Sequence, residues 1–266
     1  SKIKNIPTQN MLLGNGSDEV LDLIFRMFCE PHVDNVIILP PTYGMYEVLA
    51  NLNAIETIKV PLSTNFDPEN DVILNVSNAK SKILFLCSPN NPTGNSFSNA
   101  AVENLLNTFE GIVVIDEAYI DFSKQRSWLD RLEEFPNLIV TQTLSKAYGM
   151  AGIRLGICYA SEEIIDTLNT IKPPYNVNEL TQNKAIENLK NADLVKNQIG
   201  DILKERTDLI NELNKINFIS KIYPSDANFV LIKVDDANKR YNQLISKGIV
   251  IRNRTNQHGC ENCLRI

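Results

Sequence analysis

Short apolar runs rich in β-branched residues alternate with amphipathic stretches along the first two thirds of the chain. Residues 36–39, 55–60, 83–87, 112–115 and 138–141 are continuous enough in apolar character to predict strands covered on both faces. Between them, residues 18–29 place Val20, Leu21, Ile24, Phe25 and Phe28 on one side of a helix, and residues 99–109 do the same with Val102, Leu105, Leu106 and Phe109. Alternation of this kind predicts an α/β fold with a mostly parallel sheet. The texture changes after Pro173-Pro174. One long polar-rich helix is expected over residues 178–215, with Gly200 its main breaker, and a small α+β unit after it. That unit has strands at 218–223, 229–234 and 249–252 and a helix at 237–247. No internal repeat is visible.

Composition narrows the classes. The chain has 266 residues, 43% of them hydrophobic and 22% charged, enough apolar material for one large core or two modest ones. With 26 Lys+Arg against 32 Asp+Glu, the net charge of −6 leaves phosphate-backbone binding without its usual electrostatic drive, and no basic patch restores it. No apolar run reaches the length needed to span a bilayer. An odd count of five cysteines reads as reduced thiols and predicts a cytoplasmic setting. Residues 1–9 lack the apolar region of a signal peptide. The chain stops at Leu264-Arg265-Ile266 in mid-pattern, so a piece of a longer protein is expected.

Candidate chemistry collects at strand ends. Thr143-Leu144-Ser145-Lys146 follows the run 138–141, which sets a lysine at the carboxyl edge of a parallel sheet, where α/β proteins bind ligands. Thr143, Ser145 and Arg154 suit a phosphate monoester. The run 112–115 ends in Asp116-Glu117-Ala118-Tyr119. A metal would want further Asp, Glu or His at ligand spacing, and the only two histidines, His32 and His258, are not near, so the carboxylate reads better as the partner of a positively charged ligand nitrogen, with a helix cap or turn former the alternative for an isolated aspartate. Ser88-Pro89-Asn90-Asn91-Pro92-Thr93-Gly94 is a turn by composition that closes a third such strand. Gly14-Asn15-Gly16-Ser17-Asp18 leads into a helix, which makes either an anion site or simply an N-cap. A phosphate site, an aspartate for a ring nitrogen and a lysine for a carbonyl together match pyridoxal phosphate.

Here the sequence becomes recognisable. It resembles the fold-type I aminotransferases, most closely the histidinol-phosphate aminotransferases. The resemblance is carried by Gly16-Ser17-Asp18-Glu19, Pro40-Pro41-Thr42-Tyr43-Gly44-Met45-Tyr46, the 88–94 turn, Asp116-Glu117-Ala118-Tyr119, Thr143-Leu144-Ser145-Lys146-Ala147, Pro224-Ser225-Asp226-Ala227-Asn228-Phe229 and Cys263-Leu264-Arg265-Ile266. It implies a three-layer α/β/α large domain at 1–175 that binds pyridoxal phosphate. An interdomain helix and a small α+β domain, apparently incomplete, would follow at 176–266. Lys146 would bond covalently to the cofactor, Asp116 keep its ring nitrogen protonated, Asn91 and Tyr119 hydrogen-bond its phenolic oxygen, and Tyr43 stack on the ring. Backbone amides and side chains at Ser17 and Asp18, with Thr143, Ser145 and Arg154, would hold the phosphate. Arg252 and Arg265 would meet the anionic groups of the substrates, with Tyr175 a further candidate for facing substrate. The implied reaction interconverts histidinol phosphate plus 2-oxoglutarate and imidazole acetol phosphate plus glutamate, in a homodimer.

Departures and alternatives accompany this. Where the family commonly has an arginine before Thr-Leu-Ser-Lys, this chain has Gln142. The family's N-terminal arm, which covers the site and lends an aromatic hydroxyl to the partner subunit, has no counterpart in the sequence, and neither does its closing helix. Arg254 is either a substrate contact or a solvated charge at a strand end. His258-Gly259-Cys260-Glu261-Asn262-Cys263 offers at most three soft ligands, too few for a structural zinc site. Another fold-type I enzyme, such as an aromatic or general aminotransferase or a phospho-amino-acid decarboxylase, stays open, as does a non-catalytic fragment.

Overall fold

The structure, a computed structural model, describes residues 4–266; residues 1–3 of the expected first domain lie outside the described residues. In chain order the elements are β1 (Met11–Gly14), α1 (Ser17–Phe28), β2 (Asn35–Ile38), α2 (Met45–Leu52), β3 (Glu56–Lys59), α3 (Asn70–Val76), β4 (Ser81–Cys87), α4 (Asn99–Thr108), β5 (Ile112–Asp116), β6 (Leu138–Thr143), β7 (Gly156–Tyr159) and α5 (Glu162–Ile171). They are followed by α6 (Glu179–Leu189), α7 (Ala192–Leu213), β8 (Ile219–Ile222), β9 (Leu231–Val234), α8 (Ala237–Ile245), β10 (Arg252–Asn253) and β11 (Cys263–Arg265).

Seven strands form one sheet in the order β1-β7-β6-β5-β4-β2-β3. The pairs from β6 through β3 are parallel, while β7 runs antiparallel to both β6 and β1. Period-two alternation divides the central strands between two cores. Ile83, Phe85, Val114 and Ile139 face α1, α2 and α5, whereas Leu84, Leu86, Val113, Ile115 and Val140 face α3 and α4. The result is a three-layer α/β/α arrangement, because each central strand is apolar on both faces and must be covered twice.

The second sheet, β10-β11-β9-β8, is antiparallel throughout. Leu264, Ile232 and Val234 on one of its faces pack with Leu213, Ile251 and Ala237. The opposite face sends Leu231 and Cys263 into the core of the large sheet. Two turns fix that docking: the Asp226 amide donates to the Gly94 carbonyl at 2.7 Å, and the Ser96 amide donates to Asp226 Oδ2 at 3.2 Å. Gly94, at φ +83°, leaves room for Ser225, whose Oγ would lie 2.8 Å from any Cβ there.

Three expectations are corrected. The single helix over 178–215 is two helices, broken at Lys190 and Asn191, while Gly200 sits inside α7. The expected strand 249–252 shrinks to Arg252–Asn253, with Ile249 and Val250 exposed. Strands β1, β7 and β11 add to those that the apolar runs predict.

Candidate active site

The carboxyl ends of β4, β5 and β6 and the N-terminus of α1 converge on one cavity of about 160 Å³. Its lining includes Ser17, Asp18, Tyr43, Asn91, Asp116, Tyr119, Thr143, Ser145, Lys146 and Arg154, all ten residues expected to hold the cofactor. Cys87, Ala118 and Ala151 complete it.

Strand register sets the floor. Asp116, the last residue of β5, lies opposite Cys87 of β4 and Thr141 of β6. It is 3% exposed, and its oxygens accept from the Tyr46 hydroxyl at 2.8 Å and the Ala118 amide at 3.1 Å. Burial pushes the Asp116 carboxyl above the usual carboxylate range against the pull of those donors. Tyr46 is a contact that motif reading did not assign. It stands on the first turn of α2, three residues after Tyr43, fully buried and stacked on Phe85 with centroids 4.8 Å apart. Tyr43 meets Tyr46 edge-on and donates to Asp18 Oδ1 at 3.0 Å.

One wall is made for close approach. A Cβ on Gly156 would collide with the Ser17 amide nitrogen, and one on Gly16, at φ +88°, with Arg154 Nη2. These two glycines therefore let β7 and the Arg154 guanidinium reach the first turn of α1, where amide N–H groups lack intrahelical partners. Arg154 itself adopts a left-handed backbone conformation at φ +54°.

The opposite wall carries the Lys146 amine, with an arginine at its edge. Lys146 Nζ lies 5.6 Å from the centre of the Tyr119 ring. Burial raises the Tyr119 hydroxyl to about 12, with Arg265 and Arg254 pulling the other way. Arg265, at the end of β11, donates from Nη1 to Asn91 Oδ1 and lies over the Phe229 ring at 4.9 Å. The docked second sheet thus delivers one expected anion-binding arginine to the cavity rim.

Arg252 and Tyr175 do not line the cavity. Arg252 pairs with Arg265 across the β10–β11 ladder and is exposed. Tyr175, at φ +55° just after the prolines, is 98% exposed beside a separate apolar groove that includes Leu13, Ile186 and Leu189, so within one chain it does not reach the cavity. Gln142 points away from the cavity as well, donating to Glu117 Oε2 at 2.8 Å behind the strand ends.

The aminotransferase class I and II family matches residues 1–266. The chain is similar to the histidinol-phosphate aminotransferase of Flavobacterium johnsoniae, with 63% identity over 265 residues that cover 100% of this chain and 76% of that protein. A solved histidinol-phosphate aminotransferase from Clostridium acetobutylicum superposes with a TM-score of 0.88 at 28% identity, covering 96% of this chain and 78% of that one. The Sinorhizobium meliloti histidinol-phosphate aminotransferase, solved in complex with pyridoxal-5'-phosphate, gives 0.89 at 23% identity over 100% of this chain and 74% of that one, a likeness of fold.

Proposed function

The chain belongs to the class I and II aminotransferases, among the histidinol-phosphate aminotransferases, and on that premise we propose how its cavity performs the transamination. The reaction interconverts histidinol phosphate plus 2-oxoglutarate and imidazole acetol phosphate plus glutamate, a step of histidine biosynthesis, with pyridoxal phosphate as cofactor. The observation that carries the site assignment is the meeting of Lys146, Asp116 and the α1 N-terminus in one cavity.

The donor set fits pyridoxal phosphate. Asp116 is buried with only neutral donors around it, so a cationic ring nitrogen supplies the charge that its surroundings lack. The cradle between Gly16, Gly156 and Arg154 offers backbone amides and a guanidinium to a phosphate. Bound there, pyridoxal phosphate supplies a carbonyl that accepts amino groups and a ring that takes up the electron pair left by a departing carbon-bound proton. Lys146 Nζ would hold the cofactor through its carbonyl, and its free amine would be the base that moves the proton from the substrate's Cα. Asp116 keeps the ring nitrogen protonated, and Tyr46 fixes the carboxylate that does so. The Tyr119 hydroxyl and the Asn91 amide hydrogen-bond the phenolic oxygen. Asn91 Oδ1 is held by Arg265, which leaves its Nδ2 free to donate. The backbone amides at Ser17 and Asp18 with Thr143, Ser145 and Arg154 would hold the phosphate, and Tyr43 would lie against the ring. Arg265 and Arg252 receive the substrate carboxylate and phosphate in turn, since a guanidinium pairs with either in a bidentate manner.

The enzyme acts as a homodimer in the cytoplasm. Support for the dimer comes from the apolar groove beside Leu13, Tyr175 and Ile186, which leaves large side chains exposed; on this reading Tyr175 serves the contact between subunits. No described helix is long and apolar enough to cross a membrane.

Borohydride reduction of the cofactor-loaded protein followed by peptide mapping tests the central assignment. The pyridoxyl group is expected on Lys146, and a label on any other lysine overturns it. A half-reaction screen of histidinol phosphate against phenylalanine and O-phosphothreonine tests the substrate, with histidinol phosphate expected to react fastest.

A further inference from the structure

Next to the site stands a group of positive charges that the transamination chemistry does not use in full. In the antiparallel pair β10–β11, Arg252 lies opposite Arg265 and Asn253 opposite Leu264. The Arg254 amide continues this ladder by donating to the Cys263 carbonyl at 2.9 Å. Residues facing each other across such a pair share a side of the sheet, and neighbours along a strand alternate. Leu264 points into the core of the small unit and Cys263 toward the large sheet. Arg252, Arg254 and Arg265 therefore project from the face of the small sheet that packs against the large domain, where Arg265 reaches Asn91 and both Arg265 and Arg254 act electrostatically on Tyr119 of the cavity.

Among the described residues, no carboxylate lies within ion-pair distance of any of the three. Arg254 is half-buried, and its Nε is buried without a hydrogen-bond acceptor. Burial and the neighbouring cations weaken the hold of both Arg254 and Arg265 on their protons. Three guanidiniums brought together without an ion-pair partner, those of Arg254 and Arg265 partly desolvated, destabilise the free protein. Asn91 and the Phe229 ring offset part of that cost for Arg265, whereas the buried Nε of Arg254 has no acceptor, so its compensation is sought in a ligand. The lined-up charge exceeds what one carboxylate neutralises and suits a doubly charged anion.

We infer that Arg254 is a third substrate-binding guanidinium, which with Arg252 and Arg265 forms a subsite selective for the phosphate monoester of the substrate over a carboxylate. This deepens the proposed function and rests on it. Glutamate needs one cation for its distal carboxylate, and Arg265, already held over the cavity by Asn91, provides it. A phosphate presents a second negative charge and more acceptor oxygens, and Arg254 answers both.

The test uses the cofactor-loaded enzyme and its Arg254→Gln and Arg254→Lys variants. Expected for Arg254→Gln is a rise in KM for histidinol phosphate of roughly 10- to 100-fold, the loss of a charge-assisted contact. KM for glutamate should move less than about threefold, and Arg254→Lys should recover most of the loss, because the charge is kept. Calorimetric titration with inorganic phosphate supplies a readout apart from turnover: binding to the unmodified enzyme should weaken in Arg254→Gln and persist in Arg254→Lys. Equal losses for both substrates, or no loss for either, overturn the inference. If the unmodified enzyme does not transaminate histidinol phosphate, the proposed function fails instead, and the phosphate titration still decides whether Arg254 binds that anion.

Discussion

Glu117 is the neighbour of Asp116 in sequence and its opposite in orientation. It is 1% exposed and accepts from the Ser127 hydroxyl, from the Trp128 amide at 2.7 Å and from Gln142 Nε2 at 2.8 Å. All three donors are neutral, Gln142 among them. Burial therefore dominates and pushes the Glu117 carboxyl up to about 7, from an ordinary value near 4.5. An acid whose folded-state value is raised binds more protons when folded, so its contribution to stability falls as pH rises from about 4.5 and levels off above about 7. A displacement of that size corresponds to about 3 kcal/mol. Urea denaturation of the cofactor-free protein should thus give a lower midpoint at about pH 8 than at about pH 5.5. In Glu117→Gln most of this slope should vanish, with the remainder coming from Asp116, whose shift has the same sign. A slope unchanged in the variant would remove Glu117 from this role. The motif revealed that a glutamate follows Asp116; that it is buried against neutral partners depends on the 127–128 segment, which no local pattern points to.

At the scale of elements, strands covered on both faces were legible because they read as unbroken apolar runs, and β2, β4, β5 and β6 each overlap the expected segment. The antiparallel insertion of β7 was not legible. Its first residue must be glycine for α1 to approach, and glycine at a strand end erases the β-branched signal that would have marked it. The break in the long interdomain helix is hidden for a related reason. Gly200 reads as the breaker, yet it is exposed inside α7 with nothing within 4 Å of the place a Cβ would take, whereas the true break uses Asn191, whose non-helical backbone (φ −103°, ψ 49°) starts a new helix. A glycine in an exposed helix interior costs conformational entropy without serving a turn. Gly200→Ala should accordingly raise stability by about 1 kcal/mol, a gain of roughly 2–4 °C in the thermal midpoint. A fall in Tm measured by circular dichroism would mean that the α7 backbone needs the glycine after all.

On the scale of the whole molecule, the ten cavity-lining residues could be brought together from the sequence because they sit at, or in the loops just beyond, strand and helix ends. The contacts that place Arg265 and its neighbouring arginines could not, since they exist only after a second sheet has docked on the first. That docking rests on Asp226: its amide and its carboxylate engage Gly94 and Ser96, on the turn that also carries Asn91, and Arg265 then reaches Asn91 from β11. Asp226→Ala keeps the cofactor cradle, whose residues lie in the large sheet, and loosens the unit that brings the arginines. Removing one such hydrogen bond costs about 1 kcal/mol, equivalent to roughly a fivefold change in an equilibrium. The variant should therefore bind pyridoxal phosphate as tightly as the unmodified chain, judged by its absorbance on titration, while KM for glutamate and for histidinol phosphate rise together by roughly fivefold. This joint rise differs from the selective loss expected for Arg254→Gln, because Asp226 moves the whole arginine-bearing face and Arg254 only one of its charges. A loss of cofactor affinity in Asp226→Ala would instead mean that the second sheet also supports the cradle, through the 88–94 turn that both units share.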